Sequence, residues 1–245
     1  MKRLLTAFGA FGFKYGNALI PLIIIFCFAL AIPPHRVFGS KHIENAKDFV
    51  SLAIALTGLG LRFLTFALMP AREGNGAVPL SLPARGGAMS QICRNPLYLG
   101  NIIICCGLFL MHGKLSVMIL GSVAVIAFYN AVVHAEESFL LGRFGSDYLA
   151  YCERVPRWFP SREALLNVVR DNPLRWWSAL RRDFPVIALS AAALAATEMY
   201  EKIGRPGRLK FNTGADILIG LIALICVALA IIVIRRTRPP RLPGR

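Results

Sequence analysis

The densest group of residues that could do chemistry is the segment Arg-Asn-Pro-Leu-Tyr-Leu-Gly at positions 94–100. Asparagine is a preferred helix N-cap, and proline suits the first helical turn because it has no amide hydrogen to satisfy. We therefore predict a helix with Asn95 as its cap and Pro96 at its first position. The backbone amides of a helix start attract anions, so the carboxylate of a small zwitterion would fit there. A plain helix start beside lipid headgroups is the alternative.

Two adjacent carboxylates, Glu136 and Glu137, form the second group. The turn at 112–114 joins two apolar segments into an antiparallel hairpin, which predicts that Glu136 lies close to the Asn95 helix start. Ionisable groups at the membrane boundary usually face a protein interior or a cavity. A carboxylate in such a place can accept hydrogen bonds from a ribose diol or pair with an ammonium group. The alternative is a solvated helix end.

A third group combines aromatic and basic residues over 144–160. Tyr148 and Tyr151 are three residues apart, so they share one face of a helix. The sequence Val-Pro-Arg-Trp-Phe-Pro follows at 155–160. An interfacial aromatic belt would explain this composition as well as a binding site would.

The elements that carry these groups are predicted to be membrane helices. Of the 245 residues, 56% are hydrophobic and 17% are charged, whereas about a quarter are charged in a typical soluble domain. A bilayer core needs about 20 mostly apolar residues per helical span. The fold class predicted is an all-α, polytopic transmembrane helical bundle of about six spans, with five possible. The predicted spans are 16–32, 49–69, 97–111, 115–133, the weaker 184–199, and 217–234.

The net charge of +15 predicts how the bundle is oriented. Arginines and lysines favour the cytoplasmic side of short loops. They concentrate near the N-terminus, in 143–182 and in the C-terminal tail. We therefore expect both termini, the 70–96 and 135–183 loops and the active site to be cytoplasmic. Because the arginines lie at span ends among aromatic residues, membrane lipids are the expected partner and nucleic acid is not.

The chain is predicted to be a single membrane domain over 1–245. Its parts are a core at 75–160 that carries the three groups above, an interfacial segment at 161–183, and an additional transmembrane hairpin with a basic tail at 184–245. The interfacial segment contains Trp176 and Trp177 among arginines, which is typical of a helix lying in the interface plane. We interpret it as a surface anchor, with substrate recognition as the alternative.

Arg62 is the clearest charge well inside a predicted span. Such residues are functional candidates by default, but a long side chain can also extend to the cytoplasmic end of its helix. The six cysteines form no CxxC pair and the four histidines show no ligand spacing. No metal site is predicted.

Taken in order, the helix start, the hairpin, the Glu-Glu pair and the Tyr-Tyr-Val-Pro-Arg segment resemble the isoprenylcysteine carboxyl methyltransferase family, and more loosely the phospholipid methyltransferases. The resemblance covers roughly 75–160 and implies that this core is cofactor-binding and methyltransferase-like. It implies an S-adenosylmethionine pocket at the cytoplasmic membrane face. The cofactor contacts it implies are Asn95, Pro96, Leu97, Tyr98, Gly100, Glu136 and Glu137. Arg62, Tyr148 and Tyr151 are the candidates for substrate contact, and no catalytic residue is predicted.

This chain departs from the family's pattern in two places, one in the helix-start motif and one at the substrate side. The resembling family usually has histidine where this chain has Asn95, and its prenylcysteine enzymes place an arginine for the substrate carboxylate where this chain has Val132. A prenylated protein C-terminus is therefore not supported. The predicted function is S-adenosylmethionine-dependent methylation of a lipophilic or lipid-linked acceptor. The alternatives are an NADPH-dependent reductase of the sterol type, which also ends in a segment like 148–160, and a non-catalytic membrane scaffold.

Overall fold

A computed structural model describes residues 12, 16, 19–31, 33, 41–69 and 87–203. All regular structure in these ranges is helical, which confirms the all-α prediction for the part of the chain that is described. The predicted last span at 217–234 and the basic tail lie outside the described residues.

Helices of very different length follow one another along the chain. They are α1 (Leu19–Ala29), α2 (Lys41–Ala67), a 3-10 turn (Gly87–Gln91), α3 (Pro96–His112), α4 (Leu115–Phe144), α5 (Ser146–Arg154), α6 (Arg162–Asp171) and α7 (Trp176–Ile203).

Two of these helices, α2 over His42–Ala67 and α4, are long and apolar enough to cross a membrane, while α1 and α3 are shorter apolar helices. This supports membrane association. The predicted count of six spans is not confirmed, and α7, which contains the predicted span at 184–199, is not among the two candidates.

Helix α4 is longer than predicted. The span predicted at 115–133 continues to Phe144, and the helix ends only at Gly145, whose positive φ of 53° suits glycine. The alternative that Glu136 and Glu137 form a solvated helix end is therefore wrong. Both lie within the helix, where no proline interrupts it and where neighbouring residues pair with the carboxylates.

The segment 161–183 is not one interfacial helix as predicted. It divides into α6, which Ser161 caps by accepting a hydrogen bond from the Ala164 amide at 3.1 Å, and the first turns of α7. The break has a local cause, because Pro173 disfavours helical backbone at Asn172, which is extended. The apolar side of α6 packs under the 3-10 turn, against Met89 and its neighbours.

Helix α3 is at the centre of the described bundle, since α2, α4 and α7 all pack against it. The contact with α2 is the closest. A Cβ atom on Gly107 would come within 2.8 Å of the Ser51 carbonyl oxygen, and one on Gly58 within 2.7 Å of the Gly100 carbonyl oxygen. Small residues allow this approach of two backbones. The position of α3 therefore fixes where its first turn meets the other helices.

Candidate functional site

The first turn of α3 begins as predicted, with Asn95 at the N-cap position and Pro96 at the first helical position, but the Asn95 side chain makes no capping hydrogen bond. The Asn95 side chain is 8% exposed, and its Nδ2 donates a hydrogen bond to the Arg157 carbonyl oxygen at 3.1 Å. The capping prediction is wrong because this amide is used for a tertiary contact. The turn is instead tied to a segment about sixty residues further along the chain.

That segment, 155–158, crosses directly over the start of α3. The Arg94 amide donates to the Pro156 carbonyl oxygen at 3.0 Å, and the Cys93 thiol donates to the Trp158 carbonyl oxygen at 2.9 Å. Together with the Asn95 bond, three consecutive residues hold three consecutive carbonyls. The Val-Pro-Arg-Trp sequence is therefore placed as a strap across the helix start.

The strap completes an ion cluster around Glu137. Arg94 Nη1 lies 3.2 Å from Glu137 Oε1, and Arg157 Nη2 lies 3.0 Å from Glu137 Oε2. The Glu137 side chain is 19% exposed. This confirms the prediction that the hairpin brings the Glu-Glu pair beside the Asn95 helix start. The cluster of three residues, which we call the Glu137 cluster, carries one more positive charge than negative.

Glu136 contacts a second side chain at the start of α3, that of Tyr98. The Tyr98 hydroxyl is hydrogen-bonded to the Glu136 carboxylate. The ring of Tyr98 packs on Tyr129 of α4, with 5.6 Å between the ring centroids. The two adjacent glutamates thus contact two different sets of partners at one end of the α3–α4 hairpin.

Tyr148 and Tyr151 share a face of α5 as predicted, with 6.0 Å between their ring centroids. Tyr148 is buried, and the Tyr151 hydroxyl donates to the Ser90 carbonyl oxygen at 2.7 Å. Burial raises the pKa of Tyr148, with Glu137 adding to the shift, and burial raises the pKa of Tyr151 to about 12 against the opposing effect of Arg94. Both phenols therefore remain protonated at neutral pH. Their contact with substrate stays a prediction.

Two cysteines line the same region. Burial raises the pKa of the Cys93 thiol to about 11, which keeps it protonated as a donor. Cys152 Sγ accepts a hydrogen bond from Arg94 Nη1 at 2.9 Å. A nucleophilic cysteine needs a lowered pKa, so Cys93 serves as a structural contact.

Arg62 does not extend to the helix end, which corrects that alternative. It is 6% exposed, and both its Nε, at 3.1 Å, and its Nη2 donate to Asp183 Oδ1 on α7. Its Nη1 donates to Asn101 Oδ1 at 2.7 Å. A charge that is paired inside the protein has no reason to reach for solvent.

Gly100 lies against this arginine. A Cβ atom there would come within 2.5 Å of Arg62 Cγ and 2.9 Å of the Gly58 carbonyl oxygen. The close approach predicted at Gly100 is therefore that of α2.

Sequence reasoning missed four residues of this region. Arg94 and Arg157 lie inside the sequence motifs, where the excess of hydrogen-bond donors over acceptors could have indicated their role. No sequence pattern indicates Asn101 and Asp183, because their contacts with Arg62 depend on how three helices pack.

The arrangement offers groups of both signs to a ligand. Arg94 Nε and Arg157 Nε are buried and have no hydrogen-bond partner among the described residues. A buried donor without a partner costs about 1–3 kcal/mol, so an anionic acceptor would be favoured beside them. The two glutamates can accept hydrogen bonds from hydroxyl or ammonium groups. This donor and acceptor set fits a zwitterion that also carries hydroxyl groups.

Comparison with known proteins finds a family model that matches part of the chain. Residues 87–147 match the model of the phospholipid methyltransferase family, which confirms the resemblance found in the sequence. The match contains Arg94, Tyr98 and the Glu-Glu pair, and it supports a methyltransferase.

A curated relative is the cobalt-zinc-cadmium resistance protein CzcN of Cupriavidus metallidurans, which is 35% identical over 70 residues. The aligned region covers 29% of this chain and 32% of that protein, so the chain spans about a third of the length of this relative. No solved structure matches.

Proposed function

We propose that this protein is an integral membrane methyltransferase that uses S-adenosylmethionine and methylates a lipophilic or lipid-linked acceptor. The observation that carries the proposal is the Glu137 cluster beside the Tyr98–Glu136 contact. Both lie at the start of α3, within or next to the segment that matches a methyltransferase family. Our assignment of the site to the cytoplasmic membrane face rests on the charge distribution of the sequence.

The carboxylate and the ammonium group of S-adenosylmethionine would each have protein partners. The unpartnered Nε donors of Arg94 and Arg157 suit its carboxylate, and the glutamates suit its ammonium group or ribose hydroxyls. The cofactor contacts we propose are Asn95, Pro96, Leu97, Tyr98, Glu136 and Glu137, with Arg94 and Arg157 added. Gly100 is left out because α2 and Arg62 occupy the space beside it.

The chemistry requires little from the protein beyond positioning. When bound, S-adenosylmethionine supplies a methyl group on a positively charged sulfur that a nucleophile displaces in line. The residues around α3 would orient the donor, exclude water and keep the acceptor in line with it. The protonated tyrosines Tyr148 and Tyr151 would serve as hydrogen-bond donors or packing surfaces.

The acceptor we propose enters from the membrane, along the apolar surfaces of α2 and α4. Val132 stands where the resembling prenylcysteine enzymes place their substrate arginine. It is 3% exposed, and its Cγ2 lies within 2.9 Å of where a Cβ atom on Gly12 would be. This packed position favours an acceptor without the carboxylate that such an arginine would bind.

Calorimetric titration of the purified protein in detergent with S-adenosylhomocysteine tests the proposal. We expect micromolar binding that Glu136→Ala and Tyr98→Ala abolish. Glu163→Ala, which removes an exposed carboxylate on α6, is the matched control and should bind like the unmodified protein.

NADPH is the control ligand. Binding of NADPH without binding of S-adenosylhomocysteine would replace the proposal with the reductase. Binding of neither ligand would favour the scaffold.

A further inference from the structure

A buried ion pair joins α2 to α7, deep in the bundle and apart from the Glu137 cluster. The side chains of Arg62 and Asp183 are 8% and 0% exposed. We propose that Arg62 and Asp183 are positioning residues that lock the first two turns of α3 in the geometry the cofactor site requires. This inference rests on the proposed function for its catalytic consequence, but the lock itself can be tested without a cofactor.

The hydrogen-bond geometry of Arg62 shows how the lock works. Asp183 Oδ1 accepts from both Nε and Nη2, and this holds the guanidinium plane in one orientation. Nη1 then points towards α3. It donates to Asn101 Oδ1 at 2.7 Å and reaches the Leu97 carbonyl oxygen at 3.5 Å. One arginine thus connects α7 to two successive turns of α3.

A continuous set of contacts leads from Asn101 to the site. The Asn101 side chain is hydrogen-bonded to the Tyr129 hydroxyl. The Tyr129 ring packs on Tyr98, and the Tyr98 hydroxyl is hydrogen-bonded to Glu136. A shift of Asn101 would therefore displace Tyr98 and the carboxylate it holds.

Stability alone does not account for such a pair. Replacing a buried ion pair with apolar residues of similar volume is often neutral or stabilising. What the pair provides is orientation, and the absence of a Cβ atom at Gly100 leaves room for the Arg62 stem. Asp183 lies beyond the matched segment 87–147. The lock therefore makes α7 a required part of the site.

The decisive variant is the double substitution Arg62→Met with Asp183→Leu, which removes the lock without leaving a buried charge. Hydrogen–deuterium exchange of the peptide covering 95–103 reports the order of the α3 start. We expect exchange there to rise about tenfold while the melting temperature stays near that of the unmodified protein. The affinity for S-adenosylhomocysteine should fall at least tenfold, because small misplacements of binding groups are costly.

A second variant, Asn101→Ala, keeps the ion pair and the weaker contact of Arg62 with the Leu97 carbonyl, and removes the Asn101 side chain that links Arg62 to Tyr129. It should produce the same two changes in a milder form, and it decides the question if the double variant fails to fold. Gly60→Ala is the control, because a Cβ atom there meets nothing within 4 Å. Normal exchange and normal affinity in a folded double variant, or in Asn101→Ala, would overturn the lock.

The two proposals fail in different ways. If the unmodified protein binds no S-adenosylhomocysteine, the proposed function is wrong, while the exchange of 95–103 still decides whether the lock exists.

Discussion

Two groups of ion pairs among the described residues differ in whether their charges balance. In the Arg62–Asp183 pair the charges cancel, both side chains are buried, and every Arg62 nitrogen has a partner, although Asp183 Oδ2 has none among the described residues. In the Glu137 cluster two arginines share one carboxylate, their side chains are 17% and 32% exposed, and each Nε is without a partner among the described residues.

This difference indicates which pair stabilises the fold and which cluster binds a ligand. A balanced, buried pair carries no surplus charge for a ligand, and removing one partner is expensive because the other charge remains buried. A partly exposed cluster with surplus charge contributes less to folding and keeps its affinity for an anion. We therefore expect the loss of one partner of the buried pair to lower stability strongly, and substitutions in the Glu137 cluster to weaken binding with little change in stability.

The largest expected effect is on stability, from Asp183→Ala. The substitution leaves the Arg62 charge unpaired in the interior, which costs about 3–5 kcal/mol, and thermal unfolding in detergent should show a large fall in melting temperature. The matched substitution Asp171→Ala breaks an ion pair whose side chains are 74% and 59% exposed, and we expect no measurable change. Equal melting temperatures for both variants would show that burial does not separate these pairs.

The next effect concerns binding, from Glu137→Gln. Losing the carboxylate leaves Arg94 and Arg157 without their shared counter-charge, and hydrogen bonds to charged groups contribute about 1.5–3 kcal/mol. We expect the dissociation constant of S-adenosylhomocysteine in calorimetry to rise by roughly 10- to 100-fold, with a small change in melting temperature. Glu153→Gln, at an exposed position on α5, is the control. A Glu137→Gln protein that melts much earlier but binds normally would reverse the roles of the two groups.

The smallest effect tests the contact that anchors α5 beside the cluster. Tyr151→Phe removes the hydrogen bond to the Ser90 carbonyl, which contributes about 0.5–1.5 kcal/mol. Because the pKa is raised from 10.0 to about 12, this stability is fully present below pH 10 and is lost as the pH rises towards 12. The difference in unfolding free energy between the two proteins should shrink over that range. A constant difference up to pH 12 would mean that Tyr151 ionises equally in both states.

Much of the fold followed from local sequence. Pro96 began α3, the turn at 112–114 made the hairpin, and antiparallel geometry placed the glutamates beside the helix start. The continuation of α4 to Phe144 was missed because the polar residues after 133 indicated a loop, whereas their partners lie on other elements.

The sequence predicted where the site lies better than it predicted which side chains contact one another there. The strap at 155–158 takes the Asn95 side chain away from its cap, and no local rule encodes that contact. Asp183 lies 121 residues from Arg62, so only the packing of α7 against α2 reveals the pair. Contacts of this kind depend on the assembled bundle, while motifs report only what neighbours in sequence can do.

Hydrogen–deuterium exchange, mapped with and without saturating S-adenosylhomocysteine, tests whether the cofactor binds at the start of α3. We expect protection there, around Glu136 and Glu137 in α4, and along the strap at 155–158. Protection confined to α6 and α7, or no protection at all, would contradict the assignment of the cofactor site to the start of α3.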